Sequence, residues 1–320
     1  MKAMRLSQAT IGLLLALAGF ASFAISDMFS KLLAGHLNPF EVAFSGGAFG
    51  LLLLPLVKRK HESYVDAVPH KSEIPLWLLR ALAVFTATAV SVEAFMLLSM
   101  PEALSLMFLM PFMANILSAV FLKEHISWAS WLSVFIGFIG VLIVLRPGIR
   151  PFNLGYACAL ISALANAVSV VAYKVAAGKT SRLELLSSTL AGPLIGNGLL
   201  MMGHFSWPRD LTSWVNLFGY GFLAALGQLC LMLAAQKTPA SRVSLSQYSQ
   251  MIWAVLFSQT IFHDHMDRWT VLGVLVVTFS GTVNWLCRYM VLVMSGGFTN
   301  AREARRHRNI VLSRSQQIRK

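Results

Sequence analysis

Two charged residues, Asp27 and Lys31, stand one helical turn apart in AISDMFSKLLAG, at the end of a run otherwise almost free of polar side chains. At i and i+4, with the acid N-terminal, they are spaced for a helical ion pair. Such a pair can be a plain interfacial contact, a gate, or a contact for a cationic ligand. A third charge, Glu93, is flanked by Val92 and Ala94, with no basic residue near it in sequence. Charge is costly in hydrocarbon, so an acid placed there is a candidate for proton coupling; snorkelling to an interface is the alternative reading.

Toward the middle of the apolar runs the candidate polar side chains are hydroxyls and amides: Ser22, Ser26, Asn115, Asn166, Ser169, Gln228, Ser244 and Gln247. Phe108, Pro111 and Tyr248 stand among them, and the run SLSQYSQMIW (244–253) is the richest. These groups can hydrogen-bond a small molecule or stack against it; the alternative is that they bond neighbouring helices. Catalysis has little support. No histidine pairs with a carboxylate inside a run, and GxGxxG, P-loop, HExxH and CxxC patterns are missing. A lipid-modifying enzyme would need an arginine cluster or cofactor motif within a span, and none is visible. No metal or cofactor is expected.

The elements that must position these residues follow from composition. Of 320 residues 57% are apolar and only 12% charged, about half the charged share of a soluble domain. A helix crossing the hydrocarbon core takes roughly 20 apolar residues. Ten such runs are present: 10–31, 39–57, 76–98, 102–122, 128–146, 153–174, 184–204, 214–235, 240–262 and 269–290, here spans 1 to 10. The expectation is an all-α integral membrane protein. Cys158, Cys230 and Cys287 fall within spans, and no disulfide is expected.

Charge sets the orientation. With both termini on one side, that side holds 20 of the 26 Lys and Arg residues and the other only five, Arg80 lying within span 3 where it can snorkel. The positive-inside rule then makes the termini and the 58–75 loop cytoplasmic, in an inner (plasma) membrane. The N-terminal MKAMR and its apolar run could also be a cleaved secretory signal. The basic segment 292–320 is expected to be unstructured and to rest on anionic headgroups rather than nucleic acid.

An internal repeat argues against the signal. Residues 12–35 over 155–178, a shift of 143, match at eight positions, among them Ser26/Ser169 and Lys31/Lys174, and the same shift carries Glu41 onto Glu184. At a shift of 140, Glu124 meets Asp264, His125 meets His265, and Tyr248 falls on Phe108. The chain reads as two five-helix units, 1–148 and 149–291. Five is odd, so the second enters the membrane inverted. Inverted repeats are the architecture of alternating-access carriers.

The segment PEALSLMFLMPFMANILSAVFLKEHISWASWLSVFIGFIGVLIVLRPG (101–148) resembles EamA-type carriers of the drug/metabolite transporter superfamily. It has a mid-span proline (Pro111), an acid closing span 4 (Glu124), a tryptophan opening span 5 and then GFIGVLIVLRPG. The resemblance covers 10–290. It departs from the family at Ser45, where an arginine is often found, and at Asp264, where glutamate is usual. It implies a carrier, monomeric or homodimeric, for a small organic metabolite, with export favoured. The Asp27/Lys31 arrangement resembles that of riboflavin and S-adenosylmethionine uptake carriers, so uptake of a vitamin or nucleotide-like substrate is the rival. Partners are then the substrate, the lipid bilayer and, as coupling ion, the proton.

Overall fold

The computed structural model describes residues 8–58, 63–123, 128–146, 153–176, 180–203, 205–235, 237, 246–264 and 266–280. Ser244, Glu124, His125, His265, Cys287 and the basic segment 292–320 lie outside them, as does the side chain of Lys174. The described residues form helices and no strand: α1 (Gln8–Leu32), α2 (Pro39–Gly50), α3 (Ile74–Leu97), α4 (Met100–Met107), α5 (Met110–Leu122), α6 (Trp128–Leu145), α7 (Leu154–Ala176), α8 (Arg182–Ala191), α9 (Leu211–Ala235), α10 (Ser249–Thr260) and α11 (Arg268–Ser280). Among the described residues five helical stretches are long and apolar enough to cross a membrane: Gln8–Leu32, Ile74–Leu97, Met100–Leu122, Leu154–Tyr173 and Leu211–Leu231.

Many of the largest apolar residues face outward. Leu82, Phe135 and Leu275 are each about three-fifths exposed, whereas the interior is rich in Ala, Ser and Gly. Water would reject that surface; lipid accepts it. Between helices lipid supplies no hydrophobic drive, so close packing of small residues takes over. Helix α1 lies on α9, where a Cβ on Gly227 would stand 2.9 Å from the Gly19 carbonyl oxygen. Helix α3 lies on α7, and Ser162 donates to the Ala87 carbonyl at 3.2 Å.

Local chemistry explains the helix starts. Asn38 precedes Pro39 and accepts from the Phe40 amide at 2.9 Å, while Ser181 accepts from the Glu184 amide at 3.0 Å. These two caps are 143 residues apart, as are Glu41 and Glu184 just inside them. Before α9, Ser213 donates to Asp210 through hydroxyl and amide, at 2.7 and 2.9 Å, holding that acid below the ordinary carboxylate value.

Departures from regular helix also recur. Span 4 breaks at Phe108–Leu109, between α4 and α5, and span 9 turns irregularly at Gln247–Tyr248 before α10. Leu109 N–H reaches back only three residues, to Leu106, and Gln250 N–H does the same to Gln247. Lys123 after α5 and His263 after α10, 140 residues apart, both take left-handed backbone, with φ 54° and 50°. Span 2 tightens to a 3-10 turn at Leu51–Leu53, and span 7 widens to a π segment at Gly192–Asn197.

Candidate functional site

The two breaks meet. Phe108 and Tyr248 pack edge to face, with ring centroids 5.6 Å apart. Pro111 accounts for the first break, since it has no N–H to return to Met107. The second contains neither Pro nor Gly. There Ser249 donates to the Ser246 carbonyl at 2.6 Å, a local bond that competes with the helical ladder. The Tyr248 hydroxyl is hydrogen-bonded with Ser280 of α11. Gln247 and Asn115 are half-buried near the two breaks.

One turn beyond the second break, Gln250 donates its side-chain amide to Asp27 Oδ2 at 2.8 Å. The expected Asp27–Lys31 pair is not formed. Lys31 instead reaches Asp264, with Nζ 2.6 Å from Oδ2, and lies 4.6 Å from the centre of the Phe262 ring. The reason is placement. Left-handed His263 turns the chain back so that the Asp264 amide donates to the Ser258 carbonyl and Ser258 donates to the Asp264 carboxylate, at 2.9 and 2.7 Å. A carboxylate so fixed, beside an aromatic face, offers Lys31 more than a neighbour on its own helix. The signal was in the sequence: a lysine that recurs at one shift and an acid that recurs at another are partners for each other.

The same end of the bundle carries a second bond between spans. Arg146, after α6, pairs with Asp267, before α11. Burial alone would raise the Asp267 carboxyl, but Arg146 and Thr270 donate to it and hold it well below the usual carboxylate range. Glu41 accepts from the amide and hydroxyl of Ser206, joining α2 to the segment before α9.

The remaining predicted site residues divide. Ser26 is buried and spends its hydroxyl on the Tyr220 carbonyl at 2.8 Å. Asn166 bonds back within α7 to the Ser162 carbonyl at 3.0 Å. Ser22 and Ser169 are buried, and Gln228 is half-buried on α9. Glu93 is half-buried on α3 with no cation paired to it among the described residues.

Arg80 does not simply snorkel. It donates to the Leu185 carbonyl and to Ser188 Oγ, and its guanidinium lies 5.0 Å from the centre of the Tyr173 ring. A shallow cleft opens beside it, lined also by Trp77, Glu73 and Glu184. Among the described residues no group of histidine, cysteine and acid side chains could hold a metal.

Comparison with known proteins accords with this geometry. The EamA-like transporter family matches residues 10–146 and 153–285. The chain is 24% identical over 278 residues to an S-adenosylmethionine uptake transporter of Rickettsia bellii, covering 84% of this chain and 91% of that one. It is 24% identical over 268 residues to a pseudopaline exporter of Pseudomonas aeruginosa, covering 83% and 93%. A riboflavin transporter of Vibrio cholerae is 27% identical over 165 residues, half of this chain and 54% of its own. One crystal structure superposes with a TM-score of 0.57 at 16% identity, over 88% of this chain and 98% of that one, a likeness of fold. The chain is a multi-pass membrane protein, a transporter of small metabolites, and it belongs to the EamA-like transporter family.

Proposed function

We propose that this transporter works by alternating access, with two inverted five-span repeats, 1–148 and 149–291, closing in turn around a site between the breaks of spans 4 and 9. The observation that carries the reading is the Phe108–Tyr248 contact. Two residues related by the internal repeat touch where both spans lose regular helix. Broken helices at a repeat interface leave backbone groups free for a ligand. In this reading Asn115, Gln247, Tyr248 and Phe108 form the floor of the site. Ser22, Ser26, Asn166, Ser169 and Gln228 take secondary positions around it, some as helix-to-helix bonds. Lys31 and Asp264 form the latch at the opposite end from the basic loops. The relatives have both uptake and export names, and one architecture runs either way under a different gradient.

The test begins with a thermal-shift screen of purified protein against amino acids, nucleosides, vitamins and polyamines. Counterflow of the best ligand is then measured in proteoliposomes. Gln247→Leu is expected to remove counterflow while membrane insertion and the melting temperature stay within the wild-type range. Wild-type kinetics in Gln247→Leu and in the equivalent variants of Asn115 and Tyr248 would refute the site.

Orientation is proposed from the charge split: both termini and the 58–75 loop in the cytoplasm of an inner-membrane protein. Ser63 is exposed and caps a short turn, Tyr64–Ala67. A cysteine replacing it, in a background lacking native cysteines, should resist a membrane-impermeant maleimide on intact cells and react after lysis. Labelling from outside would reverse the topology.

Glu93 is the proposed proton carrier, because among the described residues no cation is paired with it to keep it charged within its span. Glu93→Gln should preserve substrate exchange and lose accumulation driven by a pH gradient. Accumulation that still follows the gradient in this variant would move the proton to another group.

A further inference from the structure

Among the described residues two cations near the Lys31 end have an acid of their own. Lys31 is held by Asp264 and Arg146 by Asp267. That accounting leaves Asp27. It belongs to a membrane-spanning helix, it is half-buried, and the one hydrogen bond to its carboxylate among the described residues comes from the neutral amide of Gln250 at 2.8 Å. Its other oxygen, Oδ1, accepts no hydrogen bond among the described residues and is not fully sealed from the surface. Gln250 stands two residues past Tyr248, so the carboxylate is tethered to the break that forms the proposed site. A carboxylate in a span is costly unless something offsets it. A ligand's positive charge would do so, and an open oxygen aimed by a fixed amide is the geometry for receiving one.

We propose that Asp27 is a specificity-determining residue, and that the transported molecules carry a fixed positive charge, an organic ammonium or sulfonium group, which binds at Oδ1. This rests on the reading of the two helix breaks as the substrate site. Asp27 is also absent from the internal repeat, where its counterpart is Val170. The charge is therefore an addition to one half, as a selectivity feature would be, and no part of the symmetric framework needs it.

The probes are choline and its neutral isostere 3,3-dimethylbutan-1-ol, measured by isothermal titration with purified protein in lipid nanodiscs. Low dielectric strengthens charge pairing, so choline should bind the wild type at least about tenfold more tightly than the isostere. Asp27→Asn should bring the two affinities within about twofold of each other, and Asp27→Glu should keep the preference. Equal affinities in the wild type, binding of neither probe, or a preference that survives Asp27→Asn would each overturn the proposal. Melting temperatures of all variants separate loss of charge from loss of fold. The underlying site has its own arm. If Gln247→Leu leaves both affinities unchanged, the site reading fails, whereas an unchanged ratio in Asp27→Asn is a failure of the charge assignment alone.

Discussion

Asp264→Asn is expected to leave Lys31 without a counter-charge and to cut transport at least about tenfold. The pair joins the end of α1 to the end of α10, with side chains 12% and 27% exposed. That places it between the 3–5 kcal/mol of breaking a fully buried pair and the 0–1 kcal/mol of an exposed one, at about 2 kcal/mol. If the pair forms only while that end is shut, its loss moves the equilibrium roughly thirtyfold toward the open state. Two measurements check this: counterflow in proteoliposomes, and maleimide reactivity of a cysteine placed at Gln250. Reactivity should rise in Asp264→Asn. The exchanged double variant, Lys31→Asp with Asp264→Lys, should recover a substantial part of both. Unchanged reactivity and transport in the single variant would show the pair to be ornamental to the cycle.

The second large effect is structural. A methyl group at Gly192 would sit 2.1 Å from the Ala81 carbonyl oxygen and 2.9 Å from the Phe85 amide. Both neighbours are backbone and cannot rotate away, so α3 and the Gly192–Asn197 segment must separate. Overpacking of this kind costs about 1–3 kcal/mol. Gly192→Ala should therefore lower the melting temperature by several degrees on a fluorescence ramp, and Gly192→Val should prevent recovery of monodisperse protein. Gly203→Ala is the control, because nothing lies within 4 Å of a Cβ there. A Gly192→Ala variant as stable as Gly203→Ala would mean that the two elements are less closely apposed than they stand here.

Hydropathy located the long helices because it reads lipid exposure directly, and that is the larger part of this fold. Pro111 revealed the break in span 4 for an equally local reason. The matching break at Gln247–Tyr248 was hidden. It arises from serine hydroxyls competing for backbone carbonyls, and Ser246 and Ser249 look the same in sequence whether they bond locally or across helices. The Lys31 partner was mistaken because an i,i+4 rule sees only one helix, while Asp264 lies 233 residues away. What the rule lacked was the turn at His263, whose positive φ brings Asp264 back toward α10 and which no i,i+4 spacing encodes. Polar residues could be named as candidates from their positions, but their bonds could not. Ser26 and Asn166 turn out to be committed to backbone carbonyls.

The outward jacket of leucine and phenylalanine around an interior of alanine, glycine and serine inverts the usual rule for which substitutions a protein endures. On the outside, one branched or aromatic residue serves lipid nearly as well as another, so the bulky positions are free to drift. Inside, an added methyl group at Gly192, or at the Gly19–Gly227 crossing, has a backbone for a neighbour. Over long divergence such a chain should keep its smallest residues and exchange its largest ones. Two such chains can then share a fold while agreeing at few of the positions that make either one look like a membrane protein.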